Sequence, residues 1–262
     1  MQNNGGIIMN NILKVKDLCK TYVVNKRELN VLNNVNLQIK EGEFISIMGP
    51  SGSGKSTLLY NVSGMDKMTA GSVVFKGIEL STLSEKEMST LRLHEMGFVF
   101  QQINLLKNLG IIDNIVVSAY MAKNRNRKEV NQFAIELMEK TGITELADND
   151  ITQASGGQLQ RVAICRSLIN NPDIIFGDEP TGALNSKSSN EIMDIFKDIN
   201  ESGSTIMLVT HNVKVASKTE RVLFMIDGKI EGEYNLGKFK EENKDSTERE
   251  EKLSKWLLEM GW

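Results

Sequence analysis

Apolar and polar positions along the chain follow two different periods. In the first hundred or so residues they alternate or cluster in short runs. Leu13-Lys14-Val15 opens one strand, and Val35, Leu37 and Ile39 alternate with polar residues as a half-buried strand does. Phe44-Ile45-Ser46-Ile47-Met48 is a buried-strand run that ends in a glycine-rich loop, and 55–65 then reads as a helix. Ser84-Glu85-Lys86-Glu87 has capping-box spacing and predicts a helix start. Gly97-Phe98-Val99-Phe100 predicts another buried strand. From about 103 to 170 the period turns helical, with Val130, Phe133, Ala134, Leu137, Met138 and Thr141 on one face and no convincing strand. Strand and helix then alternate again: a strand at Ile174-Ile175-Phe176, a helix over 186–200 and a strand over 205–209. A hairpin follows, joining 222–226 to 229–234 through the tight turn Asp227-Gly228. Residues 238–252 are charged and predicted to be poorly ordered. Leu253, Trp256, Leu257 and Met260 then fall on one face of a short amphipathic helix.

This order predicts an α/β fold with a mostly parallel sheet, a helical lobe over about 103–170 inserted into it, and ligands bound beyond the carboxyl ends of the strands. Residues 11–237 form one domain in this reading and 238–262 a charged tail. The composition permits such a core, since 40% of the 262 residues are apolar and 25% charged. A formal net charge of −3 argues against a nucleic-acid binder, and the basic run 123–128 reads as a solvated loop. No apolar run reaches the roughly 18–20 residues of a membrane span. The first six residues lack the charged and apolar blocks of a secretory signal, and Met9 offers an alternative start. Cys19 and Cys165 show no metal spacing and read as reduced thiols, so the cytosol is the expected compartment.

Three segments carry candidate chemistry. Gly49-Pro50-Ser51-Gly52-Ser53-Gly54-Lys55-Ser56 satisfies the phosphate-loop (Walker A) pattern GxxxxGK[ST], between an apolar strand and a helix. Its glycines let backbone N–H groups surround a phosphate, and the helix N-terminus adds partial positive charge. Lys55 would reach the β- and γ-phosphates of ATP, Ser56 would ligate Mg²⁺, and Thr57 would touch the α-phosphate. Ile174-Ile175-Phe176-Gly177-Asp178-Glu179 is a buried strand ending in two carboxylates. Asp178 suits the Mg²⁺ shell and Glu179 the base that polarises the attacking water. In Ala154-Ser155-Gly156-Gly157-Gln158, Ser155 and the glycine amides cap a helix and form a second anion site.

Followed by Leu159-Gln160-Arg161-Val162-Ala163, that last segment resembles the signature of the ATP-binding cassette (ABC) family, commonly LSGGQ. The resemblance covers about 11–235 and implies a phosphate-loop NTPase cassette with an N-terminal antiparallel β part, active as an ATPase. It also implies that Ser155, Gly156, Gly157 and Gln158 serve the nucleotide of an opposite subunit, so two copies would pair head to tail around two MgATP. By the same resemblance Tyr22 stacks on adenine. Gln101, with Gln102 beside it as an alternative, links Mg²⁺ and the attacking water to a membrane partner. His211 contacts the γ-phosphate. Two positions depart from the family: Ala154 replaces the usual leucine, and Asn185 stands where an aspartate is usual in the dimer-crossing loop.

Residues 97–106, Thr181-Gly182-Ala183-Leu184-Asn185-Ser186 and the segment 252–262 are similar to the cassettes of lipoprotein release, macrolide export and peptide-antibiotic resistance. Among these the bacitracin- and lantibiotic-resistance transporters of Gram-positive bacteria are the most alike. The resemblance implies a permease partner that holds the cassette on the inner face of the membrane. Two other readings are a non-transport cassette serving a divisome or lipoprotein-release partner, and a cassette acting on DNA or ribosomes. The latter usually carries a coiled-coil insertion or a second cassette, and neither occurs here. The apolar segment 105–117 reads equally as lobe core or as a groove for a permease helix.

Overall fold

In the computed structural model, which describes residues 10–239 and 243–262, the short-period patterns become two sheets. The alternative start at Met9 lies outside the described residues. β1 (Asn11–Val24) and β2 (Arg27–Lys40) form a long hairpin whose turn residues Asn25 and Lys26 have left-handed backbone, φ 51° and 64°. β3 (Phe44–Met48) leads into α1 (Lys55–Val62), and β4 (Ala70–Phe75) with β5 (Ile78–Glu79) returns to the hairpin. The result is an antiparallel sheet in the order β2-β1-β4-β5. α1 stops short of the expected 55–65 because Gly64 turns left-handed at φ 66°.

The Ser84–Glu87 capping box opens α2 (Glu85–Glu95), which runs into β6 (Met96–Phe100). α3 (Ile111–Ala122), α4 (Arg127–Lys140) and α5 (Gly156–Leu168) make the helical lobe, around Ile111, Ile115, Val130, Ala134, Met138, Val162 and Cys165. Then come β7 (Ile174–Asp178), α6 (Ser186–Glu201), β8 (Thr205–Val209), α7 (Val213–Ala216), β9 (Arg221–Ile226), β10 (Lys229–Asn235) and α8 (Asn243–Glu259). The second sheet has the order β10-β9-β3-β8-β7-β6, parallel except for the β9–β10 hairpin. β3 and β8 are buried along their whole length, as strands covered on both faces must be. One register row crosses this sheet: Phe100 opposes Asp178, Asp178 opposes Val209, and Val209 opposes Ile47.

Ile111, Ile115 and Val116 are buried in the lobe, so the second half of 105–117 is core, while 105–110 holds no buried residue and Leu106 is half exposed. The basic run 123–128 is mostly exposed, as a solvated loop is, and only Arg125 is partly covered. Arg125 lies 4.8 Å over the Phe133 ring, and Asn126 caps α4. On α2, His94 Nδ1 lies 2.8 Å from the Asn124 amide nitrogen.

The largest difference is the tail, where α8 begins at Asn243 and includes most of the stretch expected to be poorly ordered. The reason is Arg249, which reads as a surface charge but is only 5% exposed. Its guanidinium donates to the carbonyls of Ser217, Thr219, Leu236 and Gly237 at 2.8–3.0 Å. One turn on, Leu253 and Leu257 are fully buried against Met48, Ala216, Val222 and Phe224. Each contributes roughly 1.5–3 kcal/mol. α8 is therefore docked on its own chain, covering the β9 side of the sheet.

Arg249→Met keeps an apolar stem but leaves those carbonyls without a charged donor, and is expected to cost about 3 kcal/mol. The chain's two tryptophans, Trp256 and Trp262, both lie at the α8 end, so their fluorescence in a urea titration reports the docking directly. An unchanged midpoint in that titration would show that Arg249 does not hold the helix.

Candidate functional site

The row ending in Ile47, Val209, Asp178 and Phe100 places the loops that follow it at one level. The first of these, 49–54, is shaped by close backbone approach. A Cβ on Gly49 would lie 2.0 Å from the Met225 carbonyl oxygen, and one on Gly54, at φ 97°, 2.9 Å from that of Val31. The β9–β10 turn rivets this loop in place. Gly228 N–H donates to the Ser53 carbonyl at 3.0 Å, and Asn33 N–H donates to the Gly228 carbonyl at 2.9 Å. Ser51 and Gly52 stand exposed, while Ser53 is buried and its hydroxyl has no hydrogen-bond partner among the described residues. An unpartnered buried hydroxyl is costly, and here it marks a place that a ligand oxygen can complete. Lys55 Nζ turns back to donate to the carbonyls of Gly49 (2.7 Å) and Pro50 (2.8 Å). Burial lowers the pKa of this ammonium, partly opposed by the charges of Glu179 and Asp178.

The β7 end faces the same loop. Asp178 accepts from Ser56 Oγ on Oδ1 at 2.8 Å and from the Tyr60 hydroxyl on Oδ2 at 2.7 Å. Burial, that hydrogen bond and the Asp178 charge push the Tyr60 phenol up to about 12, so it remains a donor. Glu179 sits in left-handed backbone at φ 49°, a costly conformation held by its N–H to Val209 and its carbonyl to Gly182, both at 2.9 Å. His211 Nδ1 lies 2.8 Å from Glu179 Oε1. Gln101 N–H donates to the Asp178 carbonyl at 2.9 Å, and its side-chain amide rests against Gly182, where an added Cβ would lie 2.9 Å from Nε2. Lys55, Ser56, Gln101, Asp178, Glu179 and His211 are thus brought together.

Tyr22 belongs to a cluster that sequence reasoning saw only in part. Its hydroxyl donates to Asp66 at 2.6 Å, and Lys20 donates to the same carboxylate at 2.8 Å while lying 4.5 Å over the Tyr22 ring. Burial, Asp66's hydrogen bond and its charge raise the Tyr22 phenol, with the Thr57 hydroxyl acting the other way. Thr57 is therefore a neighbour of Tyr22. The signal for Lys20 was present in the strand period, because positions i and i+2 share a face. Tyr60 was missed outright, although its place one turn after Ser56 on α1 puts both side chains on one helix face.

Ser155, by contrast, stays apart. It caps α5 reciprocally, with Gln158 N–H to its Oγ at 3.4 Å and its own N–H to Gln158 Oε1 at 2.9 Å. Among the described residues no hydrogen bond joins 155–158 to 49–57. Gly156 and Gly157 pack beside Leu184 and Ser188 instead. Asn185 caps α6 by accepting from Ser188 N–H at 2.9 Å, a task it does as well as aspartate. A cavity of about 730 Å³ opens at the other end of the strands, between Phe133, Leu137, Ile195 and Ile199. Of its two lysines, Lys76 and Lys140, the first is paired with Asp173.

The ABC transporter family model matches residues 32–182. The dimeric solved structure of the ATP-binding cassette MJ0796 of Methanocaldococcus jannaschii, a post-hydrolysis state bound to ADP and Pi, aligns with a TM-score of 0.81. It is 42% identical, over 87% of this chain and 100% of that one. The lipoprotein-releasing system ATP-binding protein LolD of Wigglesworthia glossinidia brevipalpis is 42% identical over 85% of this chain and 98% of its own length. The macrolide export ATP-binding/permease protein MacB of Bdellovibrio bacteriovorus is 38% identical over 94% of this chain, which spans 37% of that protein.

Proposed function

The chain belongs to the ABC transporter family, and from that premise we propose how its residues divide the work of ATP hydrolysis between two copies and a membrane partner. It is an ATP-hydrolysing cassette, and it fits the macrolide-export and lipoprotein-release subgroup. The observation that carries the residue roles is the convergence of Lys55, Ser56, Asp178, Glu179 and His211 at one end of the sheet.

The amides of Gly49, Ser51, Gly52, Ser53 and Gly54 surround the phosphates, and the buried Ser53 hydroxyl gains a partner there. Lys55 exchanges the Gly49 and Pro50 carbonyls for β- and γ-phosphate oxygens, Thr57 meets the α-phosphate, and the Tyr22 ring takes the adenine. The donor set fits Mg²⁺, whose preferred ligands are hard oxygens such as those of Ser56, Asp178 and Gln101. Among the described residues no group of three or more His, Cys, Asp or Glu is placed to hold a metal ion, so phosphate oxygens would complete the shell. When bound, Mg²⁺ supplies charge neutralisation on the phosphates. Glu179 orients the attacking water and takes its proton as the bond to ADP breaks. His211, which touches Glu179 at rest, contacts the γ-phosphate in the loaded site.

Ser155 and the amides of Gly156 and Gly157 point the positive end of α5 at a phosphate. They make no bond to their own phosphate loop, so they serve the nucleotide of a second copy, with Gln158 holding the cap. The known dimeric form of the cassette MJ0796 supports a pair of this kind. Among the described residues no helix is long and apolar enough to cross a membrane, so a membrane process is reached through a permease that reads the open and closed pair. The segments 97–106, 181–186 and 252–262 favour a permease that frees or removes a peptide antibiotic.

Glu179→Gln should retain MgATP binding and lose turnover by about a thousandfold or more, accumulating as an ATP-bound pair in size-exclusion chromatography. Near-normal turnover would remove Glu179 from the base role. Ser155→Arg and Lys55→Ala should each be inactive alone, and an equimolar mixture should regain activity from one competent composite site per mixed pair. A mixture as inactive as its parts would sink the shared-site model. In the native host, Lys55→Ala should raise sensitivity to bacitracin-like or lantibiotic peptides with growth otherwise normal. Filamentation with unchanged sensitivity would point to the divisome, and a lipoprotein-sorting defect to lipoprotein release.

A further inference from the structure

One hydrogen bond at the β7 end has no part in the roles given above. α1 presents Ser56 and Tyr60 one turn apart on the same face, and both reach Asp178, one to each carboxylate oxygen. We propose that Tyr60 is a positioning residue for the metal–nucleotide site, its hydroxyl fixing the Asp178 carboxylate so that Oδ1 faces Ser56. The proposal rests on the nucleotide reading of that site.

A carboxylate held by a single donor keeps its rotational freedom. Held on both oxygens by one rigid helix turn, it is set before any ligand arrives. The tyrosine is itself braced, because its ring lies 6.5 Å from Phe100 at a tilt of 59°. Phe100 stacks on Phe98 at 6.1 Å, and Phe98 on Phe176 at 5.6 Å. Phe176 lies on the same strand as Asp178, and Phe100 opposes Asp178 in the register row. The brace and the group it orients therefore belong to one continuous piece of sheet. A residue placed only to fill the core would need the ring and not the hydroxyl. Here the hydroxyl is aimed at the carboxylate oxygen that Ser56 leaves unoccupied.

Tyr60→Phe isolates the hydroxyl. Binding of Mn²⁺ with saturating ADP, followed by electron paramagnetic resonance, is expected to weaken about tenfold, the lower end for partners one step removed from a metal. ADP binding in excess EDTA should stay at the wild-type level, and the melting temperature of the free protein should be nearly unchanged. The Mg²⁺ concentration for half-maximal ATPase should rise by a similar factor, with most of kcat recovered at high Mg²⁺. Phe100→Leu, which keeps the hydroxyl and removes its brace, should weaken Mn²⁺ by about threefold, and it carries the test if Tyr60→Phe does not fold. Wild-type Mn²⁺ affinity in the variant measured would overturn the proposal. So would loss of metal-free ADP binding, which would make Tyr60 a part of the loop's fold. If the wild-type protein bound no ADP with or without Mn²⁺, the nucleotide reading would fall and the proposal with it.

Discussion

The parallel register of β6, β7, β8 and β3 is the constraint on which the rest depends. Because Phe100, Asp178, Val209 and Ile47 lie in one hydrogen-bonded row, the residues that follow them leave the sheet at the same height. Gln101, Glu179 and Thr210 with His211 are those residues, and Gly49 leaves after Met48, the last residue of β3. No single pair of side chains has to find its partner across the molecule. A slip of one residue in any of these strands would exchange its two faces, and in β3 and β8, buried on both sides, each exchanged side chain would have to refit a packed interior.

That alignment also bears costs that local chemistry would not accept. Glu179 is left-handed without being glycine, a lysine stands half buried among backbone carbonyls, and a buried serine hydroxyl lacks a partner. Each is a departure of the kind that concentrates where ligands bind. The antiparallel sheet reaches the same place by another route. Its β2 strand touches the phosphate loop through Asn33 and the Asp227-Gly228 turn, so a hairpin remote in sequence fixes the loop's backbone.

Much of this was legible in the chain. The apolar runs, the phosphate-loop pattern, the capping boxes at Ser84 and Ser155 and the Asp227-Gly228 turn are local signals, and local physics decides them. What escaped depends on partners distant in sequence. The β1–β2 hairpin runs to Val23, Val24 and Leu29, which are exposed, and turns on Asn25-Lys26 without the glycine that usually announces such a turn. Arg249 sat in a charged run and gave no hint of the carbonyls it satisfies. Tyr60 looked like any aromatic on an apolar helix face, because its value lies in where β7 ends. Ser155 was readable as a cap, while its separation from the phosphate loop needed coordinates.

Docking α8 on its own chain has a consequence in the order of synthesis. All the residues that converge at the sheet's carboxyl end, from Lys55 to His211, leave the ribosome before Arg249 and the two leucines that follow it. Until those emerge, the apolar patch formed by Met48, Ala216, Val222 and Phe224 lacks the cover of α8. A nascent chain can therefore possess every residue of that cluster and still display an adhesive surface to chaperones, proteases and neighbouring chains. Interrupted translation would release molecules of this kind, complete through His211 and marked for removal by what they leave uncovered.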